Sequence, residues 1–196
     1  MSGLIIEGVA GTGKSTLFEK LKMSKRSPRW KLKFISEEET LGELFSEMRD
    51  RSVPHSTHVQ RLQKILNRIE TAGTECFVLE RFHHSFYALG IEWELLEPID
   101  RALANLSFTT VLLDLDDELF DVRCFDRPEK SKSEWQEGFI QLYGTRAKAV
   151  AAFKESQNRR RESLQLSEIP SHLINTSTQE WDRYLEEVFD VLGLPL

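Results

Sequence analysis

Cysteine is scarce in this chain, and so are long apolar runs and an excess of basic charge. The two cysteines, Cys76 and Cys124, lie too far apart in sequence for a zinc quartet or a disulfide framework. The chain has 26 Lys and Arg residues against 32 Asp and Glu, a formal net charge of −6, which argues against long nucleic acids or anionic membranes as partners. The longest apolar run, residues 149–153, is too short for a membrane span or an export signal. These absences predict a cytoplasmic protein.

The chain does contain a regular alternation of short apolar runs and longer amphipathic segments. Its 196 residues, 40% of them hydrophobic, suffice for the core of one domain. The short runs predict five strands, at residues 4–6, 32–35, 76–79, 110–115 and 172–174. The amphipathic segments predict helices at residues 14–22, 41–49, 57–71, 92–104, 117–125 and 133–156, and a closing helix that carries Trp181, Leu185, Val188 and Leu192. This alternation is typical of an α/β fold, a five-stranded parallel sheet with helices on both faces.

A phosphate-binding motif follows the first predicted strand. Its residues are Gly8, Val9, Ala10, Gly11, Thr12, Gly13, Lys14, Ser15 and Thr16, which match the P-loop pattern G-x-x-x-x-G-K-[ST] between a strand and a helix. The glycines let backbone N–H groups converge on phosphate oxygens, and the helix start favours anions. Lys14 is predicted to reach the β- and γ-phosphates of ATP or GTP, and the Ser15 hydroxyl to ligate Mg²⁺. The motif therefore predicts nucleotide binding.

Acidic and basic residues follow two further predicted strands. Glu80 and Arg81 come after the third strand, where Glu80 could hold Mg²⁺ through water or accept a proton, and Arg81 could bind an anionic group of an acceptor. Three acidic residues, Glu37, Glu38 and Glu39, follow the second strand. Because the carboxyl ends of parallel strands meet at one edge, where open α/β sheets bind ligands, we expect these groups to lie near the P-loop.

A lid is predicted at about residues 123–134. Arg123 and Arg127 precede a short Lys-rich loop at residues 128–133. A loop that closes over ATP with arginines would neutralise the charge of the transferred phosphoryl group and exclude water. His83 and His84 fall in a segment interpreted as a loop, where they could touch an acceptor or be surface residues. The basic run at residues 158–161 is interpreted as the solvated end of a long helix.

Together these motifs resemble the thymidylate kinase-like branch of the P-loop nucleotide kinases. Residues 7–16, E-G-V-A-G-T-G-K-S-T, are similar to the opening E-G-x-D-G-x-G-K-[ST]-T. Residues 39–43, E-T-L-G-E, with M-R at 48–49, are similar to the segment R-E-P-G-G-T-P-L-G-E that begins the acceptor side. Residues 79–90, L-E-R-F-H-H-S-F-Y-A-L-G, are similar to D-R-Y-x-x-S-x-x-A-Y-Q-G, and residues 111–116, V-L-L-D-L-D, to L-x-L-D-V-D.

The resemblance implies a Mg·ATP donor, a nucleoside monophosphate acceptor and a homodimer. It implies that Lys14 and Ser15 hold the donor phosphates and metal, and that Arg123 and Arg127 belong to the lid. On the acceptor side it implies that Arg81 faces the acceptor phosphate, with Phe82 beside it in the same motif, and that Arg68 lies near the base.

The chain also departs from the family pattern at acceptor positions. The P-loop aspartate is Ala10, the D-R aspartate is Glu80, the glutamine before Gly90 is Leu89, and the aromatic expected to stack on thymine is Lys64. The pair Glu80-Arg81 is also similar to the E-R-S motif of deoxynucleoside kinases, in which case Glu37 or Glu38 would deprotonate a hydroxyl.

The sequence therefore predicts an ATP-dependent phosphotransferase that acts on a small acceptor, a nucleoside monophosphate or a nucleoside. The first alternative is a kinase of the same fold that phosphorylates a non-nucleotide hydroxyl, such as that of a sugar, an antibiotic or a biosynthetic intermediate. The second is a nucleotide-dependent switch or binding module, which requires a segment that senses the γ-phosphate.

Overall fold

The computed structural model describes residues 3–26, 31–42, 53–73, 75–126 and 133–193, with side chains from residue 136 onward in the last range. Its strands are β1 (Gly3–Glu7), β2 (Leu32–Ile35), β3 (Cys76–Glu80), β4 (Phe108–Asp114) and β5 (Ser171–Asn175). Its helices are α1 (Lys14–Met23), α2 (Glu37–Thr40), α3 (His55–Thr71), α4 (His83–Ala88), α5 (Trp93–Asn105), α6 (Phe120–Phe125), α7 (Ser133–Tyr143), α8 (Arg146–Leu166) and α9 (Trp181–Val191). The strands form one parallel sheet in the order β2-β3-β1-β4-β5. The predicted five-stranded parallel sheet is thereby confirmed.

Helices cover both faces of the sheet because the central strands are apolar on both sides. Successive residues of a strand point to opposite faces. Ile5 packs on one face with Leu66 of α3 and with α5, whereas Ile6 packs on the other face with Leu17 of α1 and Val188 of α9. This burial on two sides explains why the strands read as nearly continuous apolar runs.

The strand order places the P-loop beside the end of β3. β1 lies between β3 and β4, and Ile6 is paired with Glu80. The chain then leaves β1 through the P-loop and leaves β3 through Arg81. The two segments that the sequence singled out therefore start from adjacent strands at the carboxyl edge.

Two predicted helices and one segment interpreted as a loop are corrected by the structure. The helix expected at residues 133–156 is two helices, α7 and α8, because Gly144 takes a φ of 82° and the Thr145 side chain caps α8 by accepting a hydrogen bond from the Lys148 N–H. The helix expected at residues 117–125 is a 3₁₀ turn, Asp117–Leu119, followed by α6. The segment that was interpreted as a loop after Arg81 is the six-residue helix α4.

Parts of two predictions fall outside the described residues. Leu41 and Gly42 form a turn at the end of α2, and residues 43–49 of the expected helix, with the M-R pair at 48–49, are not among the described residues. The same holds for Arg127 and residues 128–132 of the predicted lid. In the described ranges, no helix is both long enough and apolar enough to cross a membrane.

Candidate active site

Two glycines of the P-loop occupy backbone positions that other residues rarely adopt. Gly11 and Gly13 both have a φ of 88°. A Cβ on Gly13 would lie 2.0 Å from the Trp181 ring, and one on Gly11 would lie 2.9 Å from the Cys124 sulfur. The loop closes on itself through the Thr12 hydroxyl, which donates to the Val9 carbonyl at 2.9 Å. The missing Cβ atoms let Trp181 and Cys124 pack directly against the loop, and the positive φ angles give the backbone a conformation in which N–H groups can converge on an anion.

Contacts from α6 and α9 hold the P-loop from outside. Arg123 Nε donates to the Gly11 carbonyl at 3.2 Å, and Cys124 Sγ donates to the Ala10 carbonyl at 3.3 Å. Trp181, at the start of α9, lies against Gly13. The predicted lid-entry arginine is therefore in direct contact with the P-loop.

Lys14 is a buried titratable residue at the first position of α1. Its ammonium donates to the Val9 carbonyl at 3.0 Å. Burial lowers the pKa of Lys14 to about 7, and the charge of Arg81 adds to this effect while the carboxylate of Glu37 opposes it. An anion bound in the loop would stabilise the charged form of this side chain.

Ser15 and Glu80 form an oxygen pair next to Lys14. The Ser15 hydroxyl donates to Glu80 Oε1 at 2.8 Å, and the Glu80 carbonyl accepts a 2.8 Å hydrogen bond from the Thr40 hydroxyl. Glu80 is buried. A hydroxyl and a carboxylate are oxygen donors of the kind that Mg²⁺ prefers, so the residues fit the predicted metal.

Arg81 is held in a strained backbone conformation at the end of β3. Its φ is 60°, and its N–H donates to the Ile6 carbonyl at 2.9 Å. The guanidinium is 8% exposed and forms an ion pair with Glu37, with 3.1 Å between Nε and Oε2. Burial would raise the pKa of Glu37, but the charges of Arg81 and Lys14 outweigh burial and lower it. Backbone strain at a buried charged residue beside the P-loop is characteristic of a functional site.

Two solved structures share this arrangement of strands and helices over almost the whole chain. One is the YorR protein from Bacillus subtilis in complex with phosphorylated GDP, with a TM-score of 0.66 and 14% identity over 98% of this chain and 96% of that chain. The other is thymidylate kinase from Ehrlichia chaffeensis, with a TM-score of 0.55 and 15% identity over 97% of this chain and 98% of that chain. The chain has a thymidylate kinase-like P-loop kinase fold. No protein-family model matches the sequence, and a comparison with curated proteins finds no match.

Within this P-loop kinase fold, the other predicted acceptor residues lie in different environments. Glu38 is exposed on α2. Arg68 is exposed on α3 and forms a 3.0 Å ion pair with Glu39. The Phe82 side chain is fully buried and packs in the core with α3 and α5. Of the residues proposed for the acceptor, the structure therefore brings Glu37 and Arg81 together.

A cleft of about 350 Å³ opens between the end of α2 and the face of α3. Its lining residues are Glu39, Thr40, Leu41, Gly42, Arg61, Lys64 and Ile65. Thr40, which hydrogen-bonds the Glu80 carbonyl, connects this cleft to the end of β3. Lys64, where the resemblance leads one to expect a stacking aromatic, is thus one of the residues that line this cleft.

The histidines after Arg81 are core residues of a helix, which corrects the expectation that they lie in a loop, whether in contact with an acceptor or at the surface. His83 and His84 lie in α4 and are fully buried. His83 Nε2 is 2.8 Å from Asp100 Oδ1, and His84 Nδ1 is 3.0 Å from Ser163 Oγ. Burial and the neighbouring His83 hold the pKa of His84 well below its usual range.

The basic run at residues 158–161 is also placed differently from its interpretation as a solvated helix end. It lies within α8, and Arg160 is fully buried against Glu7, the last residue of β1. Arg161 forms an ion pair with Asp114 at the end of β4. A sequence signal existed, because Phe153 and Arg160 are seven residues apart and therefore share one face of the helix.

Proposed function

We propose that this protein transfers the γ-phosphoryl group of ATP to a small acceptor, a nucleoside monophosphate or a nucleoside. The observation that carries the proposal is the convergence of a P-loop lysine with a buried arginine on the neighbouring strand. Lys14 follows β1 and Arg81 follows β3. The charge of Arg81 lowers the pKa of Lys14, and the charges of both residues lower the pKa of Glu37. A site with basic residues at the carboxyl ends of two adjacent strands is suited to bind two anionic groups, the phosphates of a donor and an anionic group of an acceptor.

On the donor side, the P-loop amides and Lys14 would bind the ATP phosphates. Ser15 and Glu80 would hold Mg²⁺, which when bound neutralises charge on the phosphates. Arg123 already bonds the Gly11 carbonyl, so a small movement of its side chain would bring a further positive charge to the phosphates. These residues position the donor and stabilise charge, which is most of what phosphoryl transfer requires of a protein.

On the acceptor side, Arg81 would bind an anionic group and Glu37 would orient it. The charges around Glu37 keep it ionised at neutral pH, because they lower its pKa. An ionised carboxylate can accept the proton of an attacking hydroxyl. The attacking phosphate oxygen of a nucleoside monophosphate needs no base. For such an acceptor, Arg81 would bind the phosphate group and Glu37 would not be needed as a base.

A non-nucleotide hydroxyl acceptor is the second candidate function. Its support is the cleft beside Thr40, which presents Lys64 and Arg61 in place of an aromatic stacking surface. A sugar or an antibiotic with several hydroxyl groups would find hydrogen-bond partners there.

The test is ADP release with Mg·ATP and a panel of acceptors. The panel contains nucleosides, nucleoside monophosphates, sugars and aminoglycosides, and ³¹P NMR of the product shows which oxygen was phosphorylated. Lys14→Ala should abolish transfer, whereas Lys20→Ala, an exposed lysine on the same helix that pairs with Asp182, should retain it. Transfer that persists in Lys14→Ala would rule out the P-loop mechanism. Transfer to sugars or aminoglycosides alone would favour the second candidate.

A further inference from the structure

A buried ion pair behind the site has no part in the chemistry described above. Arg160 Nε lies 3.2 Å from Glu7 Oε2, and the two side chains are 2% and 0% exposed. Burial lowers the pKa of Arg160 to about 10, so the guanidinium remains charged at neutral pH. Removing two charges from water opposes folding, and a buried ion pair is weak evidence for stability. Its role is better sought in what the pair holds in place.

Glu7 holds the segment that follows Arg81. Its Oε1 accepts hydrogen bonds from the Phe82 N–H at 2.8 Å and from the Ser85 N–H at 3.1 Å. Its Oε2 accepts from the Ser85 hydroxyl at 2.8 Å. One carboxylate thus binds the first turn of α4 at three atoms, directly after the strained Arg81.

Arg160 fixes the orientation of that carboxylate from α8. Besides Nε on Glu7, its Nη2 donates to the Ser85 hydroxyl at 3.0 Å. Its Nη1 donates to the Ser156 carbonyl at 3.0 Å and to the Ser156 hydroxyl at 2.6 Å. All three guanidinium nitrogens therefore have partners, and the planar group cannot rotate without losing at least one of them.

The hydrogen bonds of the P-loop are separate from this network, although the charge of Arg160 also contributes to the lowered pKa of Lys14. The loop is held by Thr12, by Arg123 and Cys124 of α6, and by Trp181 of α9. The Glu7 side chain bonds the segment after β3 instead. A loss of Arg160 would therefore act on the acceptor side first.

We propose that Arg160 is a positioning residue for the acceptor: through the Glu7 carboxylate it fixes the turn from Arg81 to Ser85 and so holds the Arg81 guanidinium where an anionic acceptor binds. A φ of 60° at Arg81 persists only where its surroundings determine the backbone, and the bonds from Ile6 on one side and Glu7 on the other supply that constraint. The assignment rests on the proposed role of Arg81.

The test compares Arg160→Met with Arg159→Met. Arg159 is the neighbouring arginine on α8, lies over the Tyr87 ring and makes no contact with Glu7 in the structure. For Arg160→Met we expect the acceptor KM to rise about tenfold or more, since small misplacements of binding groups have effects of this size. The Kd for Mg·ADP should stay within about twofold of wild type, because the P-loop contacts remain. Arg159→Met should leave both values unchanged.

A second readout is independent of any acceptor. Hydrogen exchange of the Phe82 and Ser85 amides, followed by NMR, should be at least about tenfold faster in Arg160→Met, because both amides donate to Glu7. If wild-type protein transfers phosphate to no acceptor, the proposed function fails, yet the amide exchange still decides whether Arg160 holds the turn. Unchanged exchange in a folded Arg160→Met would overturn the inference.

A double variant covers the case in which Arg160→Met does not fold. Removing Arg160 alone leaves Glu7 buried and unpaired, whereas Glu7→Gln with Arg160→Met removes both charges. The side-chain amide that Glu7→Gln introduces would be a neutral and less oriented acceptor for the two backbone N–H groups, so faster exchange and a raised acceptor KM are still expected. Wild-type exchange and acceptor KM in a stable double variant would refute the positioning role.

Discussion

Nucleotide binding should draw a proton onto Lys14. In the nucleotide-free protein, burial lowers the pKa of Lys14 to about 7. A lysine with this pKa is about half neutral at pH 7 and about 90% neutral at pH 8. Bound phosphates favour the charged form and return the pKa toward the ordinary range. We therefore expect an uptake of about 0.5 proton per Mg·ADP at pH 7 and about 0.9 at pH 8.

The same linkage sets the pH dependence of affinity. Because binding requires the charged lysine, the Kd for Mg·ADP should rise about fivefold from pH 7 to pH 8, or about 1 kcal/mol. The phosphates add little over this range, since phosphate groups titrate at about pH 6 and are already ionised.

Calorimetry in two buffers of different ionisation enthalpy measures the uptake directly. Lys20→Met, which alters an exposed lysine of α1, should keep the wild-type uptake at both pH values. Lys14→Met should bind Mg·ADP weakly and with no uptake. An uptake near zero in the wild-type protein at both pH values would show that Lys14 is charged throughout and that the burial argument is wrong.

Three further predictions concern stability, fluorescence and metal. Lys14→Met removes a buried cation: unfolded Lys14 keeps its proton up to pH 10.5 and folded Lys14 only up to about 7, so wild-type stability rises with pH between them. In urea unfolding, the free energy of unfolding of the variant should exceed that of wild type by up to ~5 kcal/mol at pH 6 and by ~2 kcal/mol at pH 9. A difference that does not depend on pH would contradict this. Trp181 touches Gly13, so Mg·ADP should shift the tryptophan emission, and Trp181→Phe should bind without that shift; a shift retained in this variant would assign it to another tryptophan. Glu80→Gln should raise the Mg²⁺ concentration for half-maximal nucleotide binding about tenfold, measured by Mg²⁺ titration; an unchanged midpoint would remove Glu80 from the metal site.

The donor side of the site could be predicted from the sequence because its chemistry is local. The P-loop glycines, Lys14 and Ser15 lie within nine consecutive residues, and a strand before and a helix after them complete the motif. The three central strands were also predictable, because burial on two faces makes each a short apolar run. The edge strands β2 and β5 are partly exposed, and their shorter apolar runs were recognisable within the alternation of strands and helices. The ends of the helices were harder to predict. The break at Gly144, for example, depends on one backbone angle within an otherwise helical pattern.

The acceptor side was predictable only where strand order decides it. Glu37 and Arg81 are far apart in sequence, but both follow strands at the carboxyl edge, and parallel pairing brings them together. Phe82 shows the limit of this reasoning. It is adjacent to Arg81, yet the positive φ of Arg81 changes the direction of the chain, and the Phe82 ring lies in the core.

The burial of Arg160 was not predicted, because the local composition of a sequence does not show which side of a helix each residue occupies. A run of three arginines looks solvated, but each residue of a helix faces a different direction. Arg159 lies over a tyrosine ring, Arg160 is buried against Glu7, and Arg161 pairs with Asp114. Glu7 and Arg160 are 153 positions apart, so their pairing follows from the tertiary fold and could not be deduced from either segment alone.

The length of α8 is a constraint on how this protein can change. Near its start Ala149 and Phe153 pack with the helices beside the P-loop, and two turns later Gln157 and Arg160 bond the ends of β4 and β1. One inserted residue between Phe153 and Gln157 would rotate the second half by about 100° relative to the first, so the two sets of contacts could not coexist. Insertions and deletions should therefore be tolerated at Gly144, before the helix begins, and excluded within it. Relatives of this protein should therefore preserve the number of residues between these two sets of contacts on α8, even where their sequences diverge.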